Sequence, residues 1–157
     1  MKRLTCVLPI VFGVVALATT PVLADAEVGT VTAAAAALLT GGPVLAGVSL
    51  EGMELAAGVF IDSNGSATGH FYAVLLGTSL LGQPRQIVVE GKVGEGALAS
   101  GGQASFGGTA TVDLGDGTAP LPAVPFSVTA TADGLVLALD ATTLAAAALT
   151  SGAITVE

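Results

Sequence analysis

The chain is poor in the residue types that most protein chemistry depends on. Its 157 residues include one cysteine, Cys6, and one histidine, His70. Cys6 lies in an N-terminal stretch with the make-up of a removable leader, so residues 25–157 hold no thiol. That argues against a small disulfide-stapled scaffold and for a domain held together by burial alone. A catalytic zinc usually takes three protein ligands, more His and Cys than this chain owns. Nucleophilic catalysis needs a base beside an activated Ser or Cys, and no Gly-x-Ser-x-Gly elbow is present. Basic residues are scarce too: four Lys and Arg face twelve Asp and Glu, for a net charge of −8. Lys2 and Arg3 belong to the leader, so residues 25–157 carry 2 − 12 = −10. Two cations cannot neutralise a row of phosphates, which excludes nucleic acid, and the same field repels anionic lipid. Aromatics are few, with no Trp, one Tyr and five Phe. A transmembrane barrel needs girdles that this set cannot supply.

The leader itself is well formed. Lys2 and Arg3 precede an apolar run over residues 7–18, and Val22, Leu23 and Ala24 put small residues where a signal peptidase reads them. The run is shorter than the roughly 18 residues that span a bilayer, Pro9 interrupts it, and Pro21 follows it. We expect a secretory signal peptide over residues 1–24, cleaved after Ala24, and one domain over residues 25–157. Its 157 − 24 = 133 residues are enough for a sizeable core. No second apolar segment calls for membrane insertion after cleavage. The expected location is the periplasm or the extracellular space, in a bacterium.

Within the domain, alternation dominates. Phe106, Ala110, Val112 and Leu114 share one strand face and Ser105, Thr109, Thr111 and Asp113 the other. Phe126, Val128, Ala130 and Ala132 repeat the pattern ahead of Asp133-Gly134. A type I′ turn at those two residues, with Gly134 at positive φ, would pair Ala132 with Leu135, Ala130 with Leu137 and Val128 with Leu139. Upstream, residues 28–36 read as a first strand, although residues 33–39 also suit a helix. Val44, Ala46, Val48 and Leu50 form a second strand, and Met53, Leu55, Ala57, Val59 and Ile61 line a third. The third turns at Asp62-Ser63-Asn64-Gly65-Ser66 into Gly69, Phe71, Ala73 and Leu75. An odd-length connection, with Gly65 at positive φ, would match Val59 with Phe71 and Leu55 with Leu75.

Residues 77–85 read as an irregular connection, Ile87, Val89 and Val93 as the inward face of a further strand, and residues 94–102 as a loop. Gly107-Gly108 marks a bulge or a close backbone approach. Pro120, Pro122 and Pro125 stiffen the run from Gly115 into Phe126. Residues 141–149 are a short helical turn or a loop, before a closing strand at Ile154 and Val156. The sum is an all-β fold: a single-domain antiparallel β-sandwich of about eight to ten short strands, with a closed β-barrel as the alternative.

Candidate sites are thin. The run from Val112 to Thr118, Val-Asp-Leu-Gly-Asp-Gly-Thr, resembles the strand-end signature of PKD domains, immunoglobulin-like modules that carry Trp-Asp-Phe-Gly-Asp-Gly. The likeness covers about seven residues, with Val112 and Leu114 in place of the aromatics and no later His-x-Tyr; it would imply a spacer or carbohydrate-associated sandwich. A turn on permissive glycines explains the same run, and no membership is claimed. Asp62 and Asn64 carry ligands at the first and third positions of a calcium loop, but Ala67 and Ala73 stand at the sixth and twelfth, so a hairpin turn is expected. Asn64-Gly65-Ser66 is a glycosylation sequon that a bacterial host would leave bare. His70 and Tyr72 share a strand face, where His70 reads as structural. Arg85 and Lys92 could anchor an anion, but pairing with carboxylates is the simpler expectation. We therefore expect no catalytic, cofactor-binding or metal-ligating residue, and no cofactor. The expected function is that of an exported non-enzymatic structural or interaction module, whose partner is an unknown protein. The alternatives are a barrel that carries a small apolar ligand and, less favoured, an enzyme of unknown class.

Overall fold

The computed structural model describes residues 28–157; the signal peptide expected over residues 1–24 lies outside them. Among the described residues all regular structure is strand. The ten strands are β1 (Gly29–Leu39), β2 (Val44–Leu45), β3 (Val48–Ile61), β4 (Ser66–Ser79), β5 (Pro84–Ala99), β6 (Gln103–Asp113), β7 (Leu121–Thr131), β8 (Gly134–Leu139), β9 (Thr142–Thr143) and β10 (Ala147–Val156). The all-β antiparallel class expected from the alternation is what the chain adopts.

The ladders follow chain order from β3 to β8, and β8 continues to β10, β10 to β1, and β1 back to β3. These eight strands thus form a closed ring. β2 and β9 are short outliers that pair only with β3 and β8 respectively. Of the two expected arrangements, the pairings are those of the closed one. A row of paired residues leaving β5 at Gln86 passes Leu76, Gly52, Leu38, Ala148, Gly134 and Thr131. Ala130, next to Thr131, pairs with Ala104 and Ala104 with Leu98, so the row returns to β5 far along the same strand. Such stagger means that the strands tilt strongly to the ring's axis, as closure requires.

Inward residues alternate along every long strand and meet in one core, which includes Leu50, Met53, Ile61, Phe71, Leu75, Ile87 and Leu137. Phe71 lies at its centre, stacked on Phe126 with ring centroids 5.6 Å apart and tilted against Phe106 at 6.0 Å. Gly91 leaves the space that the Phe126 ring fills. Leu144, from the connection between β9 and β10, is buried as well, its amide donating to the Leu137 carbonyl at 2.9 Å. Among the described residues no polar or charged residue is buried. Among side-chain interactions the hydrophobic term therefore holds the interior, at about 1.5–3 kcal/mol for each fully buried large side chain.

Several expectations are corrected. The first strand is found as expected and its end moves: β1 continues through Leu39 in place of a helix over residues 33–39, because β3 on one side and β10 on the other take up its backbone groups. The expected second strand is split: Val44 falls in β2 and Ala46 in the turn after it, while Val48 and Leu50 run on into the third strand as β3, with a register shift between Leu50 and Gly52. The inward phase passes there from even to odd positions, which looks like two strands in sequence. Residues 77–85 are mostly strand: β4 and β5 continue to a turn in which Gly82 donates to the Ser79 carbonyl at 2.8 Å. Residues 94–99 likewise extend β5, past a shift between Val93 and Glu95. Gly108 faces that shift, and a Cβ on it would collide with the Lys92 carbonyl, the close approach expected for the Gly107-Gly108 pair. Pro122 and Pro125 lie within β7 rather than in a connection, and residues 141–149 supply β9 and the start of β10, with no helical turn.

Two registers differ by two positions. β3 and β4 join through an odd connection with Gly65 at φ 82°, as expected, yet Val59 pairs with Gly69 and Ala57 with Phe71. In the β7–β8 hairpin Thr131 pairs with Gly134, Ala130 with Leu135 and Val128 with Leu137. Its turn residues are Ala132 and Asp133, and Gly134 lies outside the left-handed region. The cause is tertiary. Ala148 of β10 pairs with Gly134, Leu149 donates to the Asp133 carbonyl at 3.1 Å, and any Cβ on Gly134 would strike the Ala147 carbonyl. Glycine is needed there for that approach and not for the turn.

Candidate functional site

Antiparallel order sorts the connections to the two ends of the ring. The lower end has the tight turns after β3, β5 and β7, together with Val28 and Glu157. The upper end gathers residues 40–47, 80–83, 114–120 and 140–146. Among the described residues, four of the eight exposed large hydrophobic side chains are found there; Val28, Leu38, Phe60 and Tyr72 lie elsewhere. Leu80 and Leu81, at the β4–β5 turn, are 90% and 88% exposed, and Val44 and Leu121 are exposed beside the neighbouring connections. Lone exposed apolar residues need no explanation, whereas a gathering at one end marks a contact surface.

A cleft of about 440 Å³ opens at this end, with Leu45, Leu114, Leu121, Pro122, Asp140 and Thr142 in its walls. Among the described residues the three non-glycine positions at positive φ are Ala46 (49°), Ala123 (55°) and Asp140 (51°), and all three line the cleft. Ala46-Gly47 joins the paired residues Leu45 and Val48 with both central φ values positive, as a type I′ turn requires. Ala123 sits where β7 shifts register against β6, and Asp140 opens the two-residue turn from Leu139 to Thr142. A left-handed conformation costs a residue with a Cβ about 1–2 kcal/mol, and such positions collect at functional sites. The sequence reading missed this place because Ala46 and Ala123 look like strand or linker residues. The one available signal was the apolar pair Leu80-Leu81 inside a turn.

The ionisable residues singled out in the sequence lie elsewhere. His70 and Tyr72 both occur on the outer face of β4. His70 pairs with Gly58 and Lys92, and Tyr72 with Ala56 and Glu90, so the register brings the histidine, the tyrosine, one cation and one carboxylate into two adjacent rows. Arg85 is on the other side of the upper end, where its guanidinium donates to the Gly115 carbonyl, a backbone partner in place of the carboxylate expected. Asp62 accepts the amides of Asn64 and Ser66 at 2.9 and 3.0 Å, so its carboxylate is engaged in forming its own turn.

The run at residues 112–118 is a pair of such turns. Asp113 accepts the Gly115 amide at 2.9 Å, and Asp116 accepts the Thr118 hydroxyl at 2.6 Å and amide at 2.9 Å. The Thr118 hydroxyl and then its amide hold the Asp116 carboxyl below the usual carboxylate range, with a smaller contribution from the Arg85 charge. Hydrogen bonds to the charged form favour it. This interaction therefore favours the fold above the ordinary Asp range and is lost as pH falls through the lowered value; full exposure keeps it small. Among the described residues no three His, Cys, Asp or Glu side chains group in a metal-holding arrangement. Comparison with family models, with curated proteins and with solved structures returns no match.

Proposed function

We propose that this chain is an exported, non-enzymatic interaction module that presents the upper end of its ring to a partner. One observation carries the reading: aliphatic and aromatic side chains fill the interior, while exposed Val44, Leu80, Leu81 and Leu121 gather with the apolar cleft at one end. The location of charge supports it. The carboxylates of Asp62, Asp113 and Asp116 are engaged by the backbone of their own turns, and His70 is exposed on a strand face, where it pairs with Gly58 and Lys92 and with no Ser, Thr or Cys. Carriage of a small apolar ligand inside the ring is less well supported, since Phe71, Phe126 and Phe106 occupy its centre.

Thermal denaturation of the exported protein with a panel of fatty acids and neutral lipids tests the reading. A module of this kind should keep its midpoint throughout. A concentration-dependent rise of several degrees with one ligand would transfer the function to the carrier, because a ligand that binds only the folded state stabilises it by mass action.

A further inference from the structure

We infer that the upper cleft receives an extended peptide segment of a partner protein, one that alternates apolar side chains with lysine or arginine. The inference rests on reading the domain as an interaction module and names the partner's chemistry. Its backbone argument is that both short strands, β2 and β9, contribute to the cleft, through Leu45 and Thr142. β2 ends the strand order and β9 hangs off β8, so each pairs on one side only. A strand with one free edge leaves N–H and C=O groups open to another chain, and an extended segment can add to it. In such a segment side chains point alternately to opposite faces, so every second residue would enter the apolar walls made by Leu45, Leu114, Leu121 and Pro122.

Charge selects the other residues. Asp140 lines the cleft, while Asp113, on the opposite face of β6 from the wall residues Val112 and Leu114, and Asp116 in the following connection add to the negative field around it. Arg85, the cation nearest this end, is tied to the Gly115 carbonyl, and residues 25–157 as a whole carry 2 − 12 = −10. An acidic segment would meet repulsion on approach and again at Asp140, whereas a basic one is steered in and can pair there. The left-handed backbone at Ala46, Ala123 and Asp140 fixes the walls before the partner arrives, which lowers the ordering cost of binding.

Fluorescence anisotropy of the exported protein with a labelled eight-residue peptide alternating Leu and Lys is the test. Comparators alternate Leu with Glu, or Ser with Lys, and a third is the Leu–Lys peptide N-methylated at every second residue. The expected result is saturable one-to-one binding of the Leu–Lys peptide, at least tenfold tighter than each comparator. Asp140→Asn, whose new side chain tolerates the left-handed backbone, and Leu121→Ser at the exposed wall should each weaken it several-fold while circular dichroism and the thermal midpoint stay unchanged. Equal binding of the Ser–Lys peptide, or indifference to both substitutions, would reduce the effect to bulk charge attraction and overturn the inference. Flotation with zwitterionic phosphatidylcholine vesicles, abolished by joint Leu80→Ser and Leu81→Ser replacement, would overturn it in favour of a membrane surface. If no peptide binds and no lipid shifts the midpoint, this inference falls and the module reading stands; a lipid-induced shift removes both.

Discussion

At Ala46 the chain holds a Cβ in a backbone conformation that glycine and asparagine adopt more easily, whereas at Gly134 it omits a Cβ where φ is ordinary for any residue. Asparagine placed at the two positions should therefore act with opposite sign. At position 46 it meets a type I′ turn and an exposed site, so Ala46→Asn should stabilise by about 0.5–1 kcal/mol. At position 134 any Cβ strikes the Ala147 carbonyl, a backbone group that cannot turn aside, so Gly134→Asn should destabilise by about 1–3 kcal/mol, and Gly134→Ala by a similar amount. Urea unfolding of the three variants measures both effects. A neutral Gly134→Ala would mean that β10 does not approach β8 as closely as it does here. Asp133-Gly134 carries the usual hairpin signature and Ala46-Gly47 does not, yet the type I′ geometry belongs to the second pair. Turn chemistry read from a dipeptide has no knowledge of the strand that will pack over it.

Among the ring's elements, the ladders differ greatly in length. β3 and β4 share thirteen paired positions, whereas β8 and β10 share two, Ala147 with Leu135 and Ala148 with Gly134. The Leu149 amide, bonded to the Asp133 carbonyl at 3.1 Å, adds one more tie. Opening that seam breaks few hydrogen bonds, so native-state hydrogen exchange should find the amides of β8 and β10 along it the first of the ring to open. The amides of Phe71 and Ala73 in β4 should exchange only on global unfolding. Protection at the seam equal to that of β4 would show that the ring opens as one unit. The inward faces of β3 to β8 were legible as alternation because burial of one face forces a period of two. Pairing partners were less so: a slip of two residues keeps the same face inward, as in both the β3–β4 and β7–β8 ladders, and leaves the pattern unchanged.

For the molecule as a whole, export is the expectation that residues 1–24 raise, and it carries its own test. The charged, apolar and small-residue regions in succession predict that N-terminal sequencing of the exported protein begins at Asp25, and a start ahead of Thr20 would remove the signal reading. Over residues 25–157 the absence of cysteine, a charge of 2 − 12 = −10 and strict alternation were enough to specify an all-β domain and are the ground for expecting no nucleic-acid partner. These are properties of composition and of the residue's immediate neighbours along the chain, which the backbone period turns directly into faces and charge into fields. The candidate site was not legible in this way. The upper cleft draws its walls from β2, β6, β7, β8 and β9, whose residues come together only when the ring closes. Closure itself depends on β1 and β10, whose residues 33–39 and 147–149 carry alanine and leucine in a pattern that does not favour strand over helix. Their state was decided by the unpaired backbone edges of β3 and β8, because a buried strand edge without hydrogen bonds costs more than a weak local preference can repay.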